Sequence, residues 1–204
     1  SAASDVYKRQ VLIIGSGQTG CQIAEELNEA GHRTYLSTGK SGRLPRRYRG
    51  KDALEWQRDM GFLDRTPDML DSPRQRFRSD PHISGKDGGH TLSLHTLRRN
   101  GITLLGHTES IAGNCIYFED DLSDNISVSD QFAKEFMTNV DEYVHQRGLK
   151  APSPTKTEID VVKAQSPQSV AARKNNTERV RRVQYQQWRS DLDRHAGLRV
   201  RSIP

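Results

Sequence analysis

The chain has 204 residues, of which 33% are hydrophobic and 28% are charged, so it is long enough for one domain with a core but polar for its size. Its net charge of +5 comes from the C-terminal end, because residues 165–204 contain nine Lys and Arg against three Asp and Glu. This surplus lies in a segment without a recognisable nucleic-acid-binding module, which argues against a specific nucleic-acid partner.

Simple patterns also argue against membrane, secreted and metal-binding classes of protein. No apolar run reaches the roughly 18 residues that a membrane span requires, and the order of basic, apolar and small residues typical of a signal peptide is missing. Cys21 and Cys115 are far apart and form no CxxC pair, so neither a disulfide framework nor a metal site is predicted. We therefore expect a cytoplasmic protein.

Residues 1–10, SAASDVYKRQ, show no periodicity and precede an abrupt apolar run. The decapeptide resembles a translated sequencing adaptor. We interpret it as a non-native leader and leave it out of the predicted fold.

A strand, a helix and a second strand follow. Val11–Ile14 is apolar and rich in β-branched residues, which predicts a strand buried on both faces in a parallel sheet. Apolar residues then recur at helical spacing, and Gly31 is placed to end that helix. Arg33–Ser37 predicts the second strand. This βαβ unit indicates an α/β, Rossmann-like dinucleotide-binding domain with a parallel sheet, which we expect over residues 11–150.

The remaining elements are less regular. Residues 42–89 are predicted as a long irregular loop that contains a short helix at about 52–60. The patterns after this loop predict a helix at 92–99, a strand at 102–105, a hairpin of 108–111 with 115–118, and an amphipathic helix at 129–147.

Residues 151–204 are predicted to be a linker and a basic tail. Pro152 and Pro154 indicate the linker, and 159–162 could begin another strand. Beyond about residue 163 the sequence is polar and arginine-rich, with at most a nascent helix near 180–188. We expect this part to be disordered, or to result from a frameshift or chimeric join.

The turn after the first strand reads GSGQTG and matches the G-x-G-x-x-G fingerprint with a strand before it and a helix after it. The first glycine permits a tight turn, the second lets a pyrophosphate approach the backbone, and the third allows close packing of the helix on the strand. The phosphates are expected on the amides at the helix N-terminus. The residues expected to bind the cofactor here are Gly15, Ser16, Gly17, Gln18, Thr19 and Gly20.

The end of the second strand predicts which dinucleotide binds. NAD enzymes usually place Asp or Glu there for the ribose 2′-hydroxyl, whereas this chain continues STGKSGRLPRR. Hydroxyls and several cations suit a 2′-phosphate, which arginine can hold with two hydrogen bonds. We therefore predict NADP(H) rather than NAD(H), held by Ser37, Thr38, Arg43, Arg46 and Arg47.

Other candidate residues have plain alternatives. His82, His90 and His95 do not have the spacing of a standard metal site, and we predict no metal. The loop HISGKDGGH is either an ordinary polar surface loop or a mobile loop that brings Lys86 or His90 near a nicotinamide. Cys21, in the first turn of the helix, either has a lowered thiol pKa or fills space between helix and sheet.

The segment VLIIGSGQTGCQIAEEL, together with GRLPRRYRG and HISGKDGG, resembles the NADPH-binding region of flavin-containing monooxygenase-like proteins, over roughly Val11 to Val162. The resemblance implies that NADPH reduces FAD and that a flavin hydroperoxide oxygenates a small organic substrate. In that family, an FAD fingerprint and an FxGxxxH-type motif would lie before Val11, and an apolar strand with an ATG-type motif would follow Val162.

This chain has the decapeptide SAASDVYKRQ before Val11 and a polar, arginine-rich sequence after about residue 163, in place of those motifs. Two interpretations follow from these differences. The resemblance implies a fragment of a flavin-dependent oxidoreductase that is inactive alone, with NADP(H) bound here and FAD bound in the complete protein. The alternative is a stand-alone NADP(H)-binding module, such as a redox sensor, without catalysis. Neither the catalytic residues nor the oligomeric state is predicted.

Overall fold

The computed structural model of the chain describes residues 10–70, 72–74, 81–112, 115–156 and 158, together with a short strand at 183–184. The strands are β1 (Gln10–Ile14), β2 (Arg33–Ser37), β3 (Arg47–Tyr48), β4 (Lys51–Asp52), β5 (Thr103–Leu105), β6 (Thr108–Ala112), β7 (Cys115–Phe118) and β8 (Val183–Gln184). The helices are α1 (Gln18–Glu29), α2 (Ala53–Asp59), α3 (Leu94–Arg99) and α4 (Leu122–Gln146).

A parallel three-stranded sheet in the order β1-β2-β5 forms the centre of the fold. Val11 pairs with Thr34 on one side of β2, and Leu36 pairs with Leu104 on the other. Helix α1 connects β1 to β2 and begins at Gln18, within the glycine-rich segment GSGQTG. The predicted α/β, Rossmann-like fold with a parallel sheet is therefore confirmed.

The burial predicted for β1 is wrong. In the described part of the sheet β1 pairs with β2 alone, its residues Gln10 to Ile13 are half-buried, and Ile14 is 58% exposed. An apolar run suits an edge strand as well as a central one until its neighbours are known, since periodicity does not report pairing. The strand also begins at Gln10, within the decapeptide that was interpreted as a non-native leader.

Two hydrophobic clusters stabilise the fold. The first lies between the sheet and the helices α1, α3 and α4, and its fully buried members include Cys21, Leu36 and Leu97. The second cluster packs the segment from Leu44 to α2 against the C-terminal half of α4. Its centre is Trp56, which is fully buried and donates its indole N–H to the Tyr48 carbonyl oxygen, 2.7 Å away.

Helix α4 contacts both clusters, and it begins seven residues before its predicted start at 129. The inward positions of its first turns are polar, since Asn125 and Ser129 are buried there. Asn125 donates to the Thr38 hydroxyl at 3.2 Å, and the Ser129 hydroxyl lies 3.3 Å from His82. These polar positions interrupt the apolar pattern from which a helix boundary is read.

The other predicted elements lie close to their expected bounds. The short helix at 52–60 is α2, with Asp52 as its N-cap in a capping box with Glu55. The predicted hairpin is formed by β6 and β7, which pair antiparallel. The long irregular segment contains the two-residue strands β3 and β4 and short 3₁₀ turns at Phe62–Asp64, Pro67–Met69 and Lys86–Gly88.

The expected linker contacts the domain at its first residues. Arg49 donates to the Pro152 carbonyl oxygen at 2.8 Å, and the Pro152 ring packs over Gly50. Further along, β8 pairs with β7, so the nascent helix predicted near 180–188 is wrong at residues 183–184. The rest of the predicted tail lies outside the described residues.

Of the helices described, none combines the length and apolar character needed to cross a bilayer.

Candidate functional site

The glycine-rich turn has the backbone that its sequence predicts. Gly15 has φ +102°, a conformation that favours glycine, and its N–H donates to the Ser37 carbonyl oxygen at 2.9 Å. Gly17 is the extended N-cap of α1. A Cβ at Gly20 would lie 1.9 Å from the Gly15 carbonyl oxygen, so α1 approaches the turn too closely for a side chain at that position.

An open depression lies at this turn. It is lined by Ile13, Ile14, Gly15, Gly17, Gln18, Thr19, Gly20 and Ile23. The first N–H groups of a helix have no carbonyl one turn before them, and the helix dipole makes this end positive. The depression therefore combines backbone donors for an anion with the exposed apolar surface of Ile14 and Ile23.

Ser16 faces away from this depression. Its side chain is 1% exposed, and its Oγ accepts a hydrogen bond from the Gly39 N–H at 3.0 Å and lies 3.2 Å from the Gly39 carbonyl oxygen. The side chain thus fixes the turn after β1 to the loop after β2. These are the two segments that the sequence assigns to the pyrophosphate and to the ribose of a dinucleotide.

Gln18 also binds protein through its side chain. Its amide nitrogen donates to the Ile83 carbonyl oxygen at 2.6 Å, and its amide oxygen accepts from the Ile83 N–H at 2.8 Å. This two-way pairing holds the segment after Pro81 against the first turn of α1. The sequence indicated no such partner, because the two residues are 65 positions apart.

His82 is fully buried behind the turn. Its Nδ1 lies 3.1 Å from the Ser16 carbonyl oxygen, so Nδ1 carries the proton and donates, and Nε2 accepts from the Ser129 hydroxyl at 3.3 Å. Burial lowers the pKa of His82 to about 4, and the Arg43 charge acts in the same direction against the opposing effects of the Ser16 carbonyl and Asp130. The imidazole is therefore neutral near pH 7.

This burial predicts an acid-sensitive fold. Above the ordinary histidine pKa of 6.5 both folded and unfolded chains carry neutral His82, and its contribution to stability does not change with pH. Between pH 6.5 and about 4 the unfolded chain binds the proton and the folded chain does not, so we expect the free energy of unfolding to fall by roughly 3 kcal/mol. Urea unfolding of the wild type and of His82→Asn over this range measures the difference. Equal pH dependences would contradict the buried neutral imidazole.

Cys21 fills space between helix and sheet, which is one of the two roles that the sequence analysis considers for it. It is fully buried, and its thiol lies 3.4 Å from the Ser16 carbonyl oxygen. Burial, assisted by the Glu25 carboxylate, raises the pKa of Cys21 to about 12. The alternative of a lowered thiol pKa is wrong, because the loss of hydration outweighs the field of the helix N-terminus.

The hydroxyls predicted for a 2′-phosphate are buried. Ser37 and Thr38 are each 1% exposed. Ser37 Oγ donates to the Gly106 carbonyl oxygen at 2.9 Å, and Thr38 Oγ1 donates to the Leu105 carbonyl oxygen at 2.7 Å. These side chains join β2 to the end of β5, and both hydroxyls are buried there.

Two of the three arginines predicted to bind the 2′-phosphate, Arg43 and Arg46, form ion pairs within the protein. Arg43 is fully buried, and its Nε forms an ion pair with Asp130 at 3.0 Å; burial lowers its pKa, and Asp130 partly restores it. Arg46 pairs with Asp52 at 2.8 Å and donates to the Ser84 carbonyl oxygen at 3.2 Å. The structure thus separates Arg43 from solvent.

Arg46 and Arg47 line a second depression, which is distinct from the one at the glycine turn. Its walls are Pro45, Arg46, Arg47, Gly89, His90, Thr91 and Glu158. Arg47 is exposed, with a 3.4 Å contact from its guanidinium to the Gly88 carbonyl oxygen. The glycine turn and these two arginines therefore do not line one common depression.

The loop HISGKDGGH packs along α1. Lys86 pairs with Glu29, and His90 Nε2 lies 2.8 Å from Glu25, one helical turn earlier. His95 is elsewhere and contacts Asp130 at 2.9 Å. Among the described residues, no group of His, Cys, Asp and Glu is arranged to hold a metal ion. Lys86 and His90 contact glutamates of α1, and their suggested place near a nicotinamide stays a prediction.

One exposed cation of the stretch STGKSGRLPRR is not among the residues that the sequence analysis names as ligands. Lys40 lies in the loop after β2, immediately after Gly39, and its side chain is exposed. Gly39 contacts Ser16 of the glycine turn, so Lys40 is adjacent to the segment that is tied to that turn. Its position directly after the second strand is where dinucleotide-binding folds contact the ribose, and this position could have identified Lys40 from the sequence.

Comparison with known proteins gives one informative similarity. The chain is 30% identical over 161 residues to a protein of Geobacillus kaustophilus described as an uncharacterized oxidoreductase, CzcO-like. The match includes 72% of this chain and 43% of the relative, so the chain spans less than half of that protein's length. No protein-family model matches the chain, and no solved structure matches it significantly. The similarity supports an oxidoreductase relationship.

Proposed function

We propose that the chain is the NADP(H)-binding portion of a flavin-dependent oxidoreductase of the monooxygenase-like type. The conformation of the glycine-rich turn carries this proposal, since Gly15 has positive φ and Gly20 has no room for a Cβ. The parallel sheet before the turn and the similarity to an oxidoreductase support it. When bound, NADPH supplies a hydride for FAD, which the complete protein would hold on residues outside this chain.

The chain's own residues would bind and orient the dinucleotide. The pyrophosphate would accept hydrogen bonds from the backbone N–H groups of the turn and of the first residues of α1. Ile14 and Ile23 would cover apolar parts of the ligand, because both are exposed at the rim of the depression. The small organic substrate would be selected by the flavin-binding part, so this chain alone would be inactive.

The 2′-phosphate assignment changes in view of the burial of Ser37, Thr38 and Arg43. Lys40 becomes the first candidate, because it is the exposed cation in the loop that Ser16 ties to the glycine turn. Arg47 is the second candidate, since its guanidinium is exposed. Arg46 is the weakest candidate for a direct contact with the 2′-phosphate, because it already forms an ion pair with Asp52.

Calorimetric titration with NADPH and NADH tests both the proposal and the assignment. The wild type is expected to bind NADPH more tightly than NADH, and Lys40→Ala is expected to reduce the affinity for NADPH by about tenfold and to leave NADH unchanged. Lys134→Ala, on the exposed face of α4, is the matched control and should bind as the wild type does.

Other results would redirect the proposal. A wild type that binds neither dinucleotide contradicts the function itself. Unchanged NADPH affinity in Lys40→Ala, with a loss in Arg46→Ala/Arg47→Ala, would transfer the 2′-phosphate to the second depression. Equal losses of NADPH and NADH in every variant would show that these cations do not distinguish the two cofactors.

A further inference from the structure

The peptide between Ser16 and Gly17 is fixed from behind. The Ser16 carbonyl oxygen accepts hydrogen bonds from His82 Nδ1 at 3.1 Å and from the Cys21 thiol at 3.4 Å. In a trans peptide the carbonyl and the following N–H point in opposite directions, and this peptide is trans. The Gly17 N–H is therefore directed away from His82, toward the side on which Gly17 lines the depression.

His82 is itself rigidly held. Its N–H donates to the Gly42 carbonyl oxygen at 2.9 Å, and its carbonyl oxygen accepts from the Leu44 N–H at 3.2 Å. Nε2, the other ring nitrogen, lies 3.3 Å from the Ser129 hydroxyl on α4, and the Ser16 carbonyl oxygen, which can only accept, fixes the tautomer with the proton on Nδ1. The orientation of the turn peptide thus depends on a segment 66 residues away.

Gln18 adds a second fixed point to the same segment. Both polar atoms of its amide bind the backbone of Ile83, the residue after His82. Gln18 is the first residue of α1, so the pairing fixes the helix turn whose first residues line the depression. The residues 82–83 therefore hold the glycine turn at one peptide and the helix start at another.

We propose that His82 and Gln18 are positioning residues that preset the backbone donors of the glycine turn for the pyrophosphate of a dinucleotide. The inference rests on the proposed function. Donors that already point at the place of an anion need no reorganisation when it binds, and the cost of ordering them is met during folding. Without His82 the Ser16–Gly17 peptide can rotate, and without Gln18 the first turn of α1 can fray.

Matched variants distinguish a positioning role of His82 and Gln18 from a general loss of stability. His82→Leu removes the donor to Ser16, and the smaller His82→Asn restores an amide N–H near the position of Nδ1 but not the contact of Nε2 with Ser129. Gln18→Met removes both hydrogen bonds to Ile83 at similar volume. Gln22→Met, one turn later on α1, is the control, because Gln22 has a single weak contact of 3.5 Å to the same carbonyl oxygen.

NMR titration of each full-length variant with NADPH and with 2′-AMP, which has no pyrophosphate, gives the decisive readout. We expect His82→Leu and Gln18→Met to weaken NADPH roughly three- to tenfold each. The affinity for 2′-AMP should not change, His82→Asn should recover most of the lost NADPH affinity, and Gln22→Met should match the wild type.

The outcomes distinguish this inference from the proposed function. Equal weakening of both ligands, or unchanged NADPH affinity in Gln18→Met, overturns the positioning role while NADPH binding by the wild type keeps the function. A wild type that binds neither ligand overturns both. Should His82→Leu not fold, His82→Asn and Gln18→Met decide the question by the same ratio of affinities.

Discussion

Replacing Gly20 by alanine is expected to destabilise the chain by about 3 kcal/mol or more and to remove NADPH binding. The new Cβ would lie 1.9 Å from the Gly15 carbonyl oxygen, a backbone atom that cannot rotate out of the way. Either α1 moves off the sheet or the turn after β1 changes its conformation. Thermal unfolding gives the loss of stability, and calorimetric titration gives the loss of binding.

Gly31→Ala is the matched control at the other end of α1. Gly31 has φ +85°, and no heavy atom beyond its two chain neighbours lies within 4 Å of the place that a methyl group would take, so alanine brings backbone strain of about 1 kcal/mol without a clash. NADPH affinity should stay at the wild-type value in this variant. A Gly20→Ala protein with wild-type stability would mean that α1 and the turn are farther apart than the structure has them.

Arg43→Met is the second substitution with a large expected effect, a loss of about 3 kcal/mol of stability without any change in the preference for NADPH over NADH. Methionine fills much of the volume but removes the 3.0 Å arginine partner of the Asp130 carboxylate, which is 19% exposed and keeps its 2.9 Å contact with His95. Chemical denaturation measures the stability, and titration with the two dinucleotides measures the preference.

Two further variants interpret the Arg43 result. Arg47→Met removes the same charge from an exposed position, where substitutions typically change stability by less than about 0.5 kcal/mol. Arg43→Met/Asp130→Leu removes both charges and should recover part of the lost stability, because no carboxylate is left without its arginine partner. A selective loss of NADPH affinity in Arg43→Met would restore Arg43 as a 2′-phosphate ligand.

The local part of the fold was predictable. The apolar run at β1, the helical spacing after it and the glycines between them are each read within a few residues, and their geometry agrees with the structure at Gly15 and Gly20. The same holds for β2, whose bounds are those predicted. Short-range patterns report backbone geometry well because the backbone responds to its nearest neighbours.

The environments of the polar site residues were not predictable in the same way. Arg43 is 87 residues from Asp130, and Gln18 is 65 residues from Ile83. A cation or an amide in a loop has the same sequence signature whether it faces water or a distant partner. Ser37 and Thr38 were assigned to a ligand because of their place in the chain, whereas their hydroxyls donate to carbonyl oxygens at the end of β5.

The open edge of β1 would link the proposed nucleotide binding to strand pairing. One side of β1 carries the pairing with β2, and in the described part of the chain its other side has no strand beside it. Such an edge is a template for a further strand. Because Ile13 and Ile14 of β1 also line the depression at the glycine turn, a strand that joins this edge and a dinucleotide would meet at the same residues. Each would then change the other's affinity by the same factor.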